Sequence, residues 1–132
     1  MKLYTPKNFT LEAYLNNGSR SVVSENDKEL IKKDFMMLPI TEQQKCLSIL
    51  FAIQPIREKF GKPIYITCGY RSKRHELKKG RSGNSKHTEF AVDLTCDDMS
   101  GLNDAFGDWN GGYKWYKSSN FIHVDLGRKR RW

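Results

Sequence analysis

The sequence predicts an α+β fold in which N-terminal helices pack on a small, mainly antiparallel sheet. Two observations support this fold class. Helical patterns dominate up to about residue 60, and short β-rich runs separated by turn signals follow Pro63. The length, 132 residues, is enough for one hydrophobic core but not for two, so we interpret residues 1–132 as a single domain.

The helical half begins with weak patterns and ends with a strong one. The longest helix is predicted from Thr41, which forms a capping-box pattern with Gln44, to residue 60, where Gly61 follows as a C-cap. Pro55 lies inside this helix and should kink it rather than end it, because the apolar spacing continues beyond it. The three predicted helices cover residues 9–15, 29–38 and 41–60.

Alternating apolar residues predict strands in the second half. The predicted strands cover residues 64–67, 90–96, 113–116 and 121–126. Alternation in the last strand places Phe121, His123 and Asp125 on one face, and leaves the other face to the core. In the strand at residues 90–96, Asp93 lies on the face opposite the apolar residues.

Three polar side chains on these segments form a candidate metal site. If the two strands pair, Asp93 and His123 converge, and His87 reaches in from the preceding loop. Two histidines and one carboxylate are a sound ligand set for a catalytic zinc, which keeps its fourth position for water. Each residue also has a structural interpretation: Asp93 as a solvent-facing carboxylate, His123 as a buried histidine that holds a backbone carbonyl.

Excess positive charge suggests a polyanionic partner. The formal net charge is +8, and basic residues cluster in RSKRHELKKGR, residues 71–81, and in GRKRRW, residues 127–132. Such clusters steer a protein toward nucleic acid or toward the anionic wall of a bacterium. A solvated basic face with no partner is the alternative.

The remaining composition excludes several classes of protein. The three cysteines, Cys46, Cys68 and Cys96, form no C-x-x-C pair, so we expect small buried side chains in a reducing cytosol. No apolar run approaches the roughly 20 residues of a membrane span. The start, MKLYTPKNF, lacks the apolar stretch of a secretory signal. We therefore expect a soluble protein that is cytoplasmic as synthesised.

Three segments resemble, in order, the motifs of a known family. ITCGYRS (residues 66–72), NSKHTEFAVDL (84–94) and NFIHVDLG (120–127) are similar to the motifs of the M15 metallopeptidases. This family includes D-alanyl-D-alanine carboxypeptidases and phage peptidoglycan peptidases, and it shares a fold with hedgehog signalling domains. The resemblance covers residues 54–127. It implies a hedgehog/DD-peptidase-like fold with Zn²⁺ bound by His87, Asp93 and His123.

The resemblance also implies roles for residues around the metal. Arg71 would point its guanidinium into the site, bind a substrate carboxylate or carbonyl oxygen, and stabilise the developing oxyanion. Tyr70 and Ser85 would shape the site or contact substrate. Trp115 and Tyr113 are candidates for the wall of the cleft, with sheet packing as the plainer interpretation of both. The third histidine, His75, lies among the lysines and arginines of residues 71–81, and we expect it to be exposed.

This sequence departs from the family pattern at three places. Cys68 replaces the family serine, which should be harmless. The spacing from His87 to Asp93 is six rather than seven, so we expect a tighter loop that leaves the ligands in place. Asn120 occupies the usual position of the general base and cannot accept a proton. Asp125 and Glu89 are the other nearby carboxylates, and we expect Asp125 to orient His123 rather than act as the base.

These observations predict a zinc-dependent peptidoglycan peptidase that cuts near D-alanine in stem or cross-link peptides. A phage lytic enzyme that acts on the cell wall of the host, or a cytosolic muropeptide peptidase, would fit the size and charge, and a monomer is expected. One alternative is a hedgehog-like zinc module that binds a peptide or glycan without catalysis. Another is a basic nucleic-acid-binding phage protein, for which GRKRRW is the candidate contact and which we consider the weaker interpretation.

Overall fold

A computed structural model describes residues 2–132, which form an α+β fold with one mixed five-stranded sheet. The helices are α1 (Glu25–Met36), α2 (Ile40–Phe60), α3 (Lys73–Lys78) and α4 (Met99–Phe106), preceded by an irregular helical turn at Ala13–Asn17. The strands are β1 (Tyr65–Cys68), β2 (Ala91–Thr95), β3 (Gly112–Tyr116), β4 (Phe121–Asp125) and β5 (Arg130–Arg131). The predicted fold class is confirmed.

The sheet is mainly antiparallel, as expected. Its strand order is β1-β2-β4-β3-β5, and only the edge pairing of β3 with β5 is parallel. Strand β2, which carries Asp93, lies between β1 and β4. The predicted pairing of the two strands that carry Asp93 and His123 is therefore present.

The hydrophobic core lies between one face of this sheet and helix α2. Val92, Leu94, Ile122 and Val124 are fully buried on the sheet, and the buried stripe of α2 includes Leu47, Leu50 and Ile53. Since alternate residues of a strand point to opposite faces, the apolar set on β2 and β4 turns the polar set toward the other side of the sheet.

Helix α2 differs from its prediction at the start and agrees with it at the end. It begins at Ile40 after Pro39, and no side chain caps it, so the predicted Thr41–Gln44 capping box is wrong. Gln44 instead exchanges hydrogen bonds with the backbone of Tyr4. The helix continues through Pro55 to Phe60, and Gly61 follows in the left-handed conformation with φ 75°.

Two short helices lie in segments for which no helix was predicted. Helix α3 follows an N-cap at Ser72, whose side chain accepts from the backbone N–H of His75, and α4 follows an Asp98 cap. Helix α3 turns His75 inward against Asp27, with 3.4 Å between Nε2 and Oδ2, so the expectation of an exposed His75 is wrong.

Candidate metal centre

The polar face of β2 and β4 brings the three predicted ligands together. Asp93 of β2 pairs directly with His123 of β4, so their side chains share one face of the sheet. His87 lies on a single 3₁₀ turn, residues 86–88, above this pair. His87 Nε2 is 3.1 Å from Asp93 Oδ1, and His123 Nδ1 is 3.0 Å from the same oxygen.

In each imidazole, the ring nitrogen that does not contact Asp93, here called the outer nitrogen, is hydrogen-bonded to an acceptor; the nitrogen that contacts Asp93 is called the inner one. His87 Nδ1 donates to the backbone carbonyl of Gly69 at 2.7 Å, and His123 Nε2 donates to Asp125 Oδ2 at 2.8 Å. A carbonyl oxygen can only accept, and an ionised carboxylate likewise, so both outer nitrogens carry their proton. In the neutral rings the inner nitrogens then present lone pairs.

This donor set fits a divalent cation. Two imidazole lone pairs and one carboxylate oxygen face one another, an arrangement that repels unless a proton or a metal ion lies among them. Histidine ligands whose other N–H is held by a carbonyl or carboxylate are typical of zinc sites. His87, Asp93 and His123 therefore could hold a zinc ion.

The electrostatics of the pocket favour positive charge. Burial alone would lower the pKa of His87, but the adjacent Asp93 carboxylate raises it to about 10. Burial would raise the pKa of Asp93, but His87 and the hydrogen bond from His123 hold it well below its usual range. The metal-free protein thus keeps a proton at the place where an ion would bind, and an entering metal must displace it.

A thiol joins this group, which the sequence interpretation did not anticipate. Among the described residues, the ligand atoms of Cys68, His87 and Asp93 all lie within 4.8 Å of one another. All three cysteines are buried and free, as predicted. Cys68 differs from the other two, however, because it lies on the polar side of the sheet beside the predicted ligands Asp93 and His87.

Asp125 is fully buried behind His123. Its Oδ2 accepts from His123 Nε2 and from Arg130 Nη2, and its Oδ1 accepts from the backbone N–H groups of Gly112 and Gly127. Burial would raise the pKa of Asp125, but the hydrogen bonds from His123 and from the Gly127 N–H lower it to about 2. The carboxylate therefore stays ionised and faces the outer nitrogen of His123.

Arg71 reaches the cleft with its side chain mostly buried. Its Nη2 donates to Ser85 Oγ at 3.4 Å, and its Nε lies 3.8 Å from Glu76 Oε1 without a hydrogen-bond acceptor. Ser85 Oγ also accepts from the backbone N–H of His87 and caps the turn that carries it. Ser85 Oγ thus links Arg71 to the turn that carries His87 through hydrogen bonds.

The cleft around these groups has a volume of about 390 Å³ and a basic, aromatic lining. Besides the ligands, its lining includes three cations and three aromatic rings: Arg71, Lys86, Arg130, Tyr116, Phe121 and Trp132. Trp132 packs edge-on against His123 with ring centroids 5.5 Å apart and donates to the Tyr116 hydroxyl. The basic lining suits an anionic ligand.

Three aromatic residues that were predicted for the cleft lie elsewhere. Tyr70 is buried in the core and packs edge-on against Phe35, with 5.1 Å between ring centroids. Trp115 and Tyr113 pair with Ile122 and Val124 of β4, and these partners place them on the core side of the sheet. The register of β3 therefore presents Tyr116, not Trp115, to the cleft.

Neither Glu89 nor Asn120, which occupies the family's general-base position, lines the cleft. Glu89 forms an ion pair with Lys86 and borders a separate pocket beside α1 and α2. Asn120 is exposed, in the left-handed conformation with φ 57°, and its carbonyl accepts from Thr95. Among the residues that line the cleft, Asp93 is the one carboxylate.

Asn16 supports the site from outside the three motifs. Its side chain is fully buried, donates to the carbonyl of Tyr70, and accepts from the N–H of Gly69, both at 2.7 Å. Gly69 in turn holds His87, and a Cβ at position 69 would collide with the backbone of Tyr14. In the sequence, the Asn-Asn-Gly pattern at residues 16–18 indicates a turn but not these hydrogen bonds.

The family comparison agrees with this geometry. A family model described as Peptidase M15 matches residues 27–125, three quarters of the chain, and this range includes all the predicted ligands. The chain belongs to the peptidase M15 family. Membership indicates a peptidase that acts on a peptide-containing substrate, and M15 peptidases are typically zinc-dependent. No curated protein matches the chain, and no helix among the described residues is long and apolar enough to cross a membrane.

Proposed function

We propose that this M15 peptidase is a zinc-dependent peptidoglycan peptidase that hydrolyses a bond near D-alanine in stem or cross-link peptides. The observation that carries the proposal is the convergence of His87, Asp93 and His123, with the outer nitrogen of each histidine already bonded. The basic cleft lining supports an anionic wall peptide as substrate. A phage lytic enzyme acting on the wall of the host cell would fit, although a cytosolic muropeptide peptidase has the same requirements.

In this mechanism, the protein's own residues bind and orient the peptide. A zinc ion held by the three ligands would supply a Lewis acid for the scissile carbonyl and a water of lowered pKa. Arg71 binds the substrate's carboxylate or carbonyl oxygen and stabilises negative charge that develops there. Asp125 keeps the tautomer of His123, so that the inner nitrogen presents its lone pair.

A second candidate function is zinc-dependent recognition without hydrolysis. It is favoured by the cleft lining, in which no carboxylate besides Asp93 is available to accept a proton from water. In that case Arg71 and the aromatic wall would bind a peptide or glycan, as in a hedgehog-like module.

The nucleic-acid interpretation has less support. The discriminating mark would be a basic stripe with stacking aromatics away from the metal site. Arg130 instead binds Asp125 and lies over the ring of Trp132, and Arg131 donates to backbone carbonyls at residues 109 and 111. Wall attraction remains our proposal for the surplus positive charge.

The test combines metal analysis with digestion of muropeptides followed by mass spectrometry. Wild type should retain about one zinc after dialysis and release a D-alanine-containing product, whereas His87→Ala and Asp93→Ala should lose the zinc. Arg71→Lys should keep zinc but lose about 10²–10³-fold in rate, because lysine lacks the planar fork. Arg74→Lys is the matched control, since Arg74 is 55% exposed and pairs with Asp34 outside the cleft.

Three results would count against this proposal. Zinc bound in wild type with no product from any muropeptide would favour the recognition module. A zinc content near zero, or equal rates for wild type and Arg71→Lys, would overturn the proposed site.

A further inference from the structure

Cys68, Asp93 and His123 form a row across three neighbouring strands. Cys68 of β1 pairs with Asp93 of β2, which pairs with His123 of β4. Directly paired residues point to the same face of a sheet, with Cβ atoms about 4.5–5.5 Å apart. The Asp93 carboxylate therefore lies between a thiol on one side and an imidazole on the other.

A β-bulge turns Cys68 onto this face. Ile66 pairs with Leu94, whereas Cys68 pairs with Asp93, so two steps on β1 correspond to one step on β2. Without the extra residue, Cys68 would share the inward face of Ile66. Consistent with this, Cys46 and Cys96 belong to the hydrophobic core, and Cys68 does not.

The thiol, His87 and Asp93 satisfy the geometric requirement for a metal-binding group of their own. Their ligand atoms all lie within 4.8 Å of one another, and Cys68 is 6% exposed and His87 2%. The Gly69 carbonyl occupies the outer nitrogen of His87, which leaves Nε2 for an ion. Since His87 has one free nitrogen, it can serve an ion beside His123 or an ion beside Cys68, but not both at once.

We propose that Cys68 is a metal ligand and that Cys68, His87 and Asp93 form a second metal position for a soft divalent ion such as Cd²⁺. Thiolates select soft ions, whereas the His123 position has nitrogen and oxygen ligands only. On binding, the Cys68 thiol and His87 Nε2 each release a proton to the solvent, and the sulfur and the nitrogen donate their electron pairs to the ion. The position shares two ligands with the proposed peptidase site but does not require hydrolysis.

Titration of the full-length, metal-free chain with Cd²⁺ tests the proposal, with ultraviolet thiolate-to-cadmium charge-transfer absorption as the readout. Wild type and His123→Ala should both develop the band with about one equivalent of Cd²⁺. Cys68→Ser should lose the band and bind Cd²⁺ at least tenfold more weakly. Cys96→Ser is the matched control and should keep the band, because Cys96 lies in the core.

The proposal is overturned if wild type binds Cd²⁺ without the band, if it fails to bind Cd²⁺, or if the band persists in Cys68→Ser. Circular dichroism verifies folding, and Cys68→Ala replaces the serine variant if that variant is unfolded. The peptidase proposal fails on separate measurements, namely zinc content and muropeptide hydrolysis of wild type. Cys68→Ser that keeps zinc and hydrolysis while losing the cadmium band would separate the two positions directly.

Discussion

Replacing Asp125 with asparagine should weaken zinc binding with almost no change in side-chain shape. The Asp125 carboxylate accepts four hydrogen bonds, two at each oxygen, and it has no exposed surface. An asparagine side chain offers one acceptor oxygen and one NH₂ donor group. Whichever way the amide is oriented, its NH₂ group meets two donors.

Both orientations of the amide are costly. If the NH₂ group faces His123, the imidazole must place its proton on Nδ1, the nitrogen that would bind the ion. If it faces the other way, the N–H groups of Gly112 and Gly127 lose their acceptor. Leaving a buried donor unpaired costs about 1–3 kcal/mol. Loss of a carboxylate that orients a histidine ligand typically lowers metal affinity 10–100-fold, which corresponds to about 1.4–2.7 kcal/mol.

The assay is zinc affinity by competition with a chelator, measured beside chemical unfolding of the metal-free protein. Asp108→Asn is the matched control, because Asp108 is 83% exposed and pairs with Lys129 at the surface. Zinc affinity unchanged in Asp125→Asn would refute the orienting role. An Asp125→Asn protein that keeps zinc but loses the acidic limb of its pH–rate profile would instead make Asp125 the general base.

Two further substitutions test the supports of the site. Gly69→Ala should destabilise the protein by about 1–3 kcal/mol in chemical unfolding and also weaken zinc binding, because its Cβ would collide with the Tyr14 backbone and shift the carbonyl that holds His87. Gly18→Ala is the control, because a Cβ at position 18 meets only ordinary van der Waals contacts. Equal stability of the two variants would contradict this explanation. Glu76→Gln should cost about 1–3 kcal/mol of stability and slow hydrolysis, because this buried carboxylate accepts a hydrogen bond from the half-exposed Arg81 and lies beside Arg71. Glu25→Gln is its control, because the Glu25 side chain is 86% exposed in its ion pair with Lys28, and a loss no greater than in that variant would show that the buried network contributes little.

Alternation within a strand was enough to predict the polar face of β2 and β4. Asp93, His123 and Asp125 share that face because the apolar residues between them must face the core, and strand pairing then brings them together. The same reasoning failed for Trp115. Strand β3 has aromatic residues on both of its faces. Only its pairing register with β4 therefore decides which of them reaches the cleft.

Short helices and the bulge depend on contacts that are distant in sequence. Helix α3 has six residues, mostly charged, and its buried His75 and Glu76 face Asp27 and Arg81. No periodicity over so few residues indicates such burial, because tertiary ion pairs determine it. The position of Cys68 was equally hard to predict. In a strand without a bulge, Cys68 would face the core, where a small residue in place of serine has little effect.

The basic run GRKRRW connects the surplus charge to the metal centre. As a sequence it indicated attraction to a polyanion, but Arg130 binds the buried Asp125, Arg131 binds carbonyls at residues 109 and 111, and Trp132 packs on His123. Arg130 and His123 both donate to Asp125 Oδ2, and the guanidinium stabilises the ionised carboxylate that orients the imidazole. Part of the positive charge therefore belongs to the hydrogen-bond network that holds His123, while Arg71 and Lys86 line the cleft, where they would attract the anionic peptide that we propose as substrate.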